Sequence, residues 1–66
     1  MDIVYQGKPE ETSAATVAAF LAEKGVDAKT AIVEYGGEIY AGGRDLSALA
    51  LADGAELNVF NIVSGG

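Results

Sequence analysis

Ala55-Glu56-Leu57-Asn58-Val59-Phe60-Asn61-Ile62-Val63-Ser64-Gly65-Gly66 closes the sequence. Residues 55–62 alternate like a strand with one buried face. Leu57 and Val59 point one way, and Glu56, Asn58, Phe60 and Ile62 point the other. If Leu57 and Val59 face a core, Phe60 and Ile62 stand on an open face and form a docking patch. Domain ends are usually polar and frayed. Here an apolar strand runs directly into Ser64 and two residues without side chains. That contrast makes the carboxylate of Gly66 the candidate reactive group, with the rest of the chain as its handle.

Upstream segments supply the partners such a strand needs. Asp2-Ile3-Val4-Tyr5-Gln6 is rich in β-formers, with Ile3 and Tyr5 inward and Val4 outward beside Asp2 and Gln6. Val4 is therefore a further candidate for the open-face patch. Gly7-Lys8 reads as a tight turn into a second strand over residues 8–12, where Pro9 limits the ladder. Ser13 and Thr16 are both able to cap a helix, and Thr16 is preferred because the periodic segment starts directly after it. Val17, Phe20 and Leu21 share one stripe, Lys24 suits the C-terminal end of the dipole, and Gly25 takes the C′ position before Val26.

After a polar link at residues 27–30, Ala31-Ile32-Val33-Glu34-Tyr35 and Glu38-Ile39-Tyr40 flank Gly36-Gly37, a hairpin pattern. Ala31, Val33 and Tyr35 form one face of this strand and Ile32 and Glu34 the other, with neither set assigned inward. Residues 46–52 read as a short helix or 3₁₀ turn that tucks Leu46, Leu49 and Leu51 inward, and Asp53-Gly54 is a turn. The order is β-β-α-β-β-(short turn)-β. The economical packing is α+β: one helix across one face of a mixed four- to five-stranded sheet, with the first and last strands central and parallel. That is the ubiquitin-like β-grasp, expected here as one domain over residues 1–66 with a flexible tail at about 63–66.

Composition removes most alternatives. The 66 residues support a single small core, and half of them are hydrophobic. No cysteine or histidine is present, which excludes disulfides, thiol or imidazole catalysis and the usual zinc sites. Ten acidic and four basic residues give a net charge of −6. This disfavours nucleic acid and anionic membranes and suits a basic site on a larger protein. No apolar run reaches the ~20 residues that span a bilayer. No leader is expected, so a cytoplasmic protein, monomeric on its own, is anticipated.

Catalytic chemistry finds little support. Glu10-Glu11, Asp45 and Asp53 have no companion base or nucleophile, and a general acid or base needs a cleft to shift its pKa. Gly36-Gly37 and Gly42-Gly43 lack the Lys-Ser/Thr of a phosphate loop. Gly65-Gly66 is different. Activation of a terminal carboxylate by ATP requires a tail thin enough to thread a narrow channel, and glycine has no Cβ to obstruct it.

In Ile3-x-Tyr5-x-Gly7-x-Pro9, Ala15-Thr16-Val17-Ala18, Leu21-x-x-x-Gly25, Gly37-Glu38, Leu51-Ala52-Asp53-Gly54 and Val63-Ser64-Gly65-Gly66, the sequence resembles the ThiS-type sulfur carriers of thiamine biosynthesis. The MoaD-type carriers of molybdopterin synthesis are close kin, and the likeness spans the chain. The resemblance implies a protein cosubstrate rather than an enzyme, with no bound cofactor. An adenylating enzyme of the ThiF/MoeB type, akin to ubiquitin-activating enzymes, would use ATP to activate Gly66. A sulfur donor would convert the adenylate to a thiocarboxylate, and an acceptor such as thiazole synthase would take the sulfur. Gly65, Ser64 and Val63 would give the tail clearance, and Phe60, Ile62 and Val4 would dock the partner. Length favours the thiamine branch. A molybdopterin or other sulfur pathway, a ubiquitin-like protein modifier and a plain interaction module stay open as alternatives.

Overall fold

A computed structural model describes residues 1–41 and 45–61 of the chain. The β-rich runs form β1 (Asp2–Tyr5), β2 (Lys8–Glu11), β3 (Ala31–Tyr35), β4 (Glu38–Tyr40) and β5 (Glu56–Asn61), with one helix, α1 (Val17–Glu23). They make a five-stranded sheet in the order β2-β1-β5-β3-β4. β1 and β5 are parallel and central, and every other neighbouring pair is antiparallel. This is the α+β, ubiquitin-like β-grasp arrangement. Among the described residues no helix is long and apolar enough to cross a membrane.

One register row crosses the entire sheet. Lys8 opposes Tyr5, Tyr5 opposes Leu57, Leu57 opposes Tyr35, and Tyr35 opposes Glu38. Leu57 sits at its centre, fully buried beneath α1 with Ile3, Val17, Phe20, Leu21 and Val33. Ala31 and Val33 are buried too, so their side of β3 is the inward one, with Tyr35 packed at its margin. Tyr5 meets Phe20 edge-on, with ring centroids 4.9 Å apart.

The helix is fixed at both ends. Thr16 accepts a hydrogen bond from the Ala19 N–H at 3.1 Å, as a cap should. The Val17 N–H, another donor without an intrahelical partner, bonds the Leu49 carbonyl at 2.9 Å. At the far end Lys24 is the C-cap rather than part of the last turn. Gly25 adopts φ 72, its N–H reaches the Ala22 carbonyl, and the Val26 N–H reaches that of Leu21. These paired bonds are a Schellman motif, closed by Val26 against the core. The Lys24 ammonium lies 2.6 Å from Glu10 on β2 and above the Tyr5 and Phe20 rings, at 5.7 and 5.5 Å.

The loop before β5 docks through the expected leucines. Leu46–Ala48 is a 3₁₀ turn, Leu46 and Leu51 are buried, and Leu49 is half-buried. The Tyr35 hydroxyl donates to the Ala50 carbonyl at 2.7 Å and accepts from the Ala52 N–H at 3.1 Å. The loop acids hold backbone. Asp45 accepts from the Ser47 N–H, and Asp53 accepts from the Asp2 N–H at 2.8 Å.

Two details correct the sequence reading. The first hairpin turns at Gln6-Gly7, not Gly7-Lys8: Tyr5 pairs directly with Lys8, and Gln6 and Gly7 have φ of 53 and 79. Two positive values match the primed turn that suits the strand twist. Gln6 also leaves the strand and does not project outward beside Val4. Pro9 is accommodated because β2 is an edge strand. Replacing Thr16 with alanine should lower stability by about 1 kcal/mol and the thermal midpoint by roughly 4–8 °C. Thermal unfolding followed by circular dichroism checks this, and an unchanged midpoint would show that the cap contributes nothing.

Candidate functional site

The face of the sheet away from α1 carries the candidate site. Because Leu57 and Val59 are buried inward, Phe60 is forced outward, and it is 53% exposed. The ring therefore lies outside the core, on the open face. Ile32 opposes Phe60 in register and is half-buried. Ile39 opposes Glu34 and is 60% exposed. These two isoleucines extend the apolar surface that Phe60 begins.

Polar side chains divide this face. Glu34 opposes Asn58, and the Asn58 amide donates to the Glu34 carboxylate at 3.0 Å. Glu56 opposes Val4, which in turn opposes Pro9. Val4 is on the open face, half-buried, as its alternation implies. It stands four positions from Phe60 measured along β5, or about 13 Å at the usual rise per residue. The structure therefore brings Ile32, not Val4, beside Phe60. A depression of about 450 Å³ adjoins the polar band, lined in part by Glu34, Gly36, Gly37, Glu56 and Asn58. Its carboxylates give the surface a negative rim, which favours a partner with basic side chains.

β5 itself is held on both edges. β3 pairs with it from Leu57 to Asn61. On the other edge β1 pairs through Val4 and Tyr5 only. The Gln6 side chain then bonds Val59 at both its N–H and its carbonyl, each at 2.8 Å. Ile62, Val63, Ser64, Gly65 and Gly66 lie outside the described residues.

Sequence reasoning missed Ile32, Ile39 and Gln6. The pattern of β3 left its faces unassigned, and register was needed to put Ile32 against Phe60. Ile39 belongs to a three-residue strand, too short to show alternation. Gln6 reaches a residue 53 positions away, and no local signal announces such a bond.

No family model matches the chain, and no curated protein matches it. Among solved structures it is similar to the crystal structure of a thiamine biosynthesis protein (ThiS) from Geobacter metallireducens. The two superpose with a TM-score of 0.78, covering 100% of each chain at 26% identity. The chain thus has the fold of a ThiS-type carrier. Phe60→Asp should leave this fold intact, with a dispersed NMR spectrum and a nearly unchanged thermal midpoint. Val59→Asp should unfold it, because an unpaired buried carboxylate costs several kcal/mol against the ~3–5 kcal/mol a core this small supplies. Equal loss of structure in both variants would show that the two faces are misassigned.

Proposed function

We propose that this chain is a sulfur carrier, most directly for the thiazole of thiamine, and that the carboxylate of Gly66 is its working group. The observation that carries this reading is the end-to-end superposition on a thiamine biosynthesis protein at 26% identity. The course of β5 is in keeping with it. Gly65-Gly66 follow closely in sequence on a central strand held on both edges, and Phe60 near the end of that strand is exposed.

The reaction divides between carrier and partners. An adenylating enzyme of the ThiF/MoeB type joins the Gly66 carboxylate to the α-phosphate of ATP and releases pyrophosphate. Sulfur from a donor then attacks the acyl carbon, the bond to AMP breaks, and a thiocarboxylate remains. An acceptor such as thiazole synthase takes that sulfur and returns the carboxylate. ATP and the sulfur donor are used by the partners, and the carrier is a cosubstrate. Gly65 supplies steric clearance in the channel that leads to the nucleotide, with Val63 and Ser64 setting the reach. Phe60 and Ile62 dock the partner, with Ile32 and Ile39 widening that surface. The acidic band at Glu34 and Glu56 steers a basic enzyme toward it.

Intact mass measurement of the protein, incubated with activating enzyme, ATP and sulfur donor, tests the reading. A species heavier by one oxygen-to-sulfur exchange, localised to Gly66 by fragmentation, is expected. An unmodified carboxylate under those conditions would sink it, and a bond from Gly66 to a lysine of another protein would point to a modifier instead. Gly65→Val should fold normally yet abolish ATP–pyrophosphate exchange, whereas undiminished exchange would refute the channel argument. Phe60→Asp should weaken binding to the activating enzyme by about tenfold or more, as loss of a buried aromatic anchor does.

A further inference from the structure

β1 and β5 part company before β5 ends. Their parallel ladder reaches only Tyr5 and Leu57, while β5 continues to Asn61. Among the described residues, the Gln6 N–H makes the last main-chain bond on this edge, to the Leu57 carbonyl at 3.1 Å. One ladder step further on, the Gln6 side chain takes over. Its Nε2 donates to the Val59 carbonyl and its Oε1 accepts from the Val59 N–H, both at 2.8 Å. A carboxamide has a donor and an acceptor side by side, so one group satisfies both backbone groups of one residue.

The backbone is strained where this happens. Gln6 has φ 53, and among the described residues it is the one non-glycine with a positive φ. A Cβ makes that region unfavourable, and turns of this type normally carry Asn, Asp or Gly. Glycine at position 6 would close the turn with less strain, and asparagine would tolerate it better, but neither side chain spans to Val59. Strain of this kind persists where the surroundings hold it and concentrates at functional sites. What the Gln6 amide grips is the residue directly before exposed Phe60.

We propose that Gln6 is a positioning residue. Its carboxamide stands in for the missing strand at one step of the ladder and fixes the direction in which β5 presents Phe60 and Asn61. The sulfur-carrier reading enters only in naming the partner that receives them.

The test uses the full chain as wild type, Gln6→Gly, Gln6→Asn and Gln6→Glu, each studied well below its thermal midpoint. In the glycine and asparagine variants, amide exchange at Val59 should accelerate about tenfold or more relative to other β5 amides, as expected for a lost local bond. Residual dipolar couplings at Phe60 and Asn61 should shift while those of α1 do not. In Gln6→Glu the carboxylate opposes the Val59 carbonyl. The Val59 N–H keeps an acceptor but the carbonyl is repelled. Protection should therefore be weakened at neutral pH and recover, relative to wild type at the same pH, as the acid protonates, at a pH above the ordinary carboxyl range because only the neutral form bonds both groups. With the activating enzyme, the glycine and asparagine variants should raise KM for the carrier and leave kcat nearly unchanged, the pattern of weakened docking. Unaltered Val59 exchange in both variants would overturn the clamp. Altered exchange with unaltered couplings and KM would overturn the positioning role. A wild-type chain inert toward the activating enzyme would count against the carrier reading alone, since the exchange and coupling measurements involve no partner.

Discussion

The register of β5 at Leu57 is the constraint on which the rest depends. Leu57 pairs with Tyr5 on a parallel neighbour and with Tyr35 on an antiparallel one, and α1 covers it completely. Side chains alternate strictly across a strand. A slip of β5 by one residue would expose Leu57 and Val59 and drive Asn58 and Phe60 under the helix. Burial of the Asn58 carboxamide among Phe20, Leu21 and Val33, away from Glu34, would carry a desolvation penalty. The apolar core therefore determines which side chains reach the open face, and the exposure of Phe60 follows from the burial of its neighbour Val59.

A chain of this size has little core to spare, and much of its order comes from polar groups that hold backbone. Thr16 and Asp45 cap helical turns, and Asp53 ties the loop before β5 to the first residue of β1. The Tyr35 hydroxyl serves two backbone groups of the same loop. Thr12 donates to Glu23 and accepts from the Ala14 N–H, which fastens the entry to α1 against the exit of α1. Each such bond contributes on the order of 1 kcal/mol. Asp45 and Asp53, which have no companion base or nucleophile in the sequence, each hold backbone in the structure.

Legibility followed the range of the interaction. The Thr16 cap, the Val17-Phe20-Leu21 stripe, the Gly25 terminus and the Gly36-Gly37 turn are signals within a few residues of chain, and all stand where the pattern puts them. The alternation of Leu57, Val59 and Phe60 held for the same reason. Ile32 joined the open face only once its pairing with Phe60 was known. Gln6 was misread because its side chain answers to a strand at the other end of the sequence, and because glutamine is an unusual occupant of a primed turn. The readings placed on Ile62, Val63, Ser64, Gly65 and Gly66 lie beyond the described residues.

The two edge strands bear on colloidal behaviour. β2 has Pro9 in its ladder, and β4 is three residues long with an exposed Glu38. Free sheet edges are templates for pairing with another copy, and a proline, a short run or a charge blunts them. A net charge of −6 adds repulsion between copies. Phe60 and Ile39 are thus displayed on a sheet whose rims resist fibre-like growth. An adhesive surface of this kind is compatible with a dispersed solution only when the edges around it are closed to strand exchange.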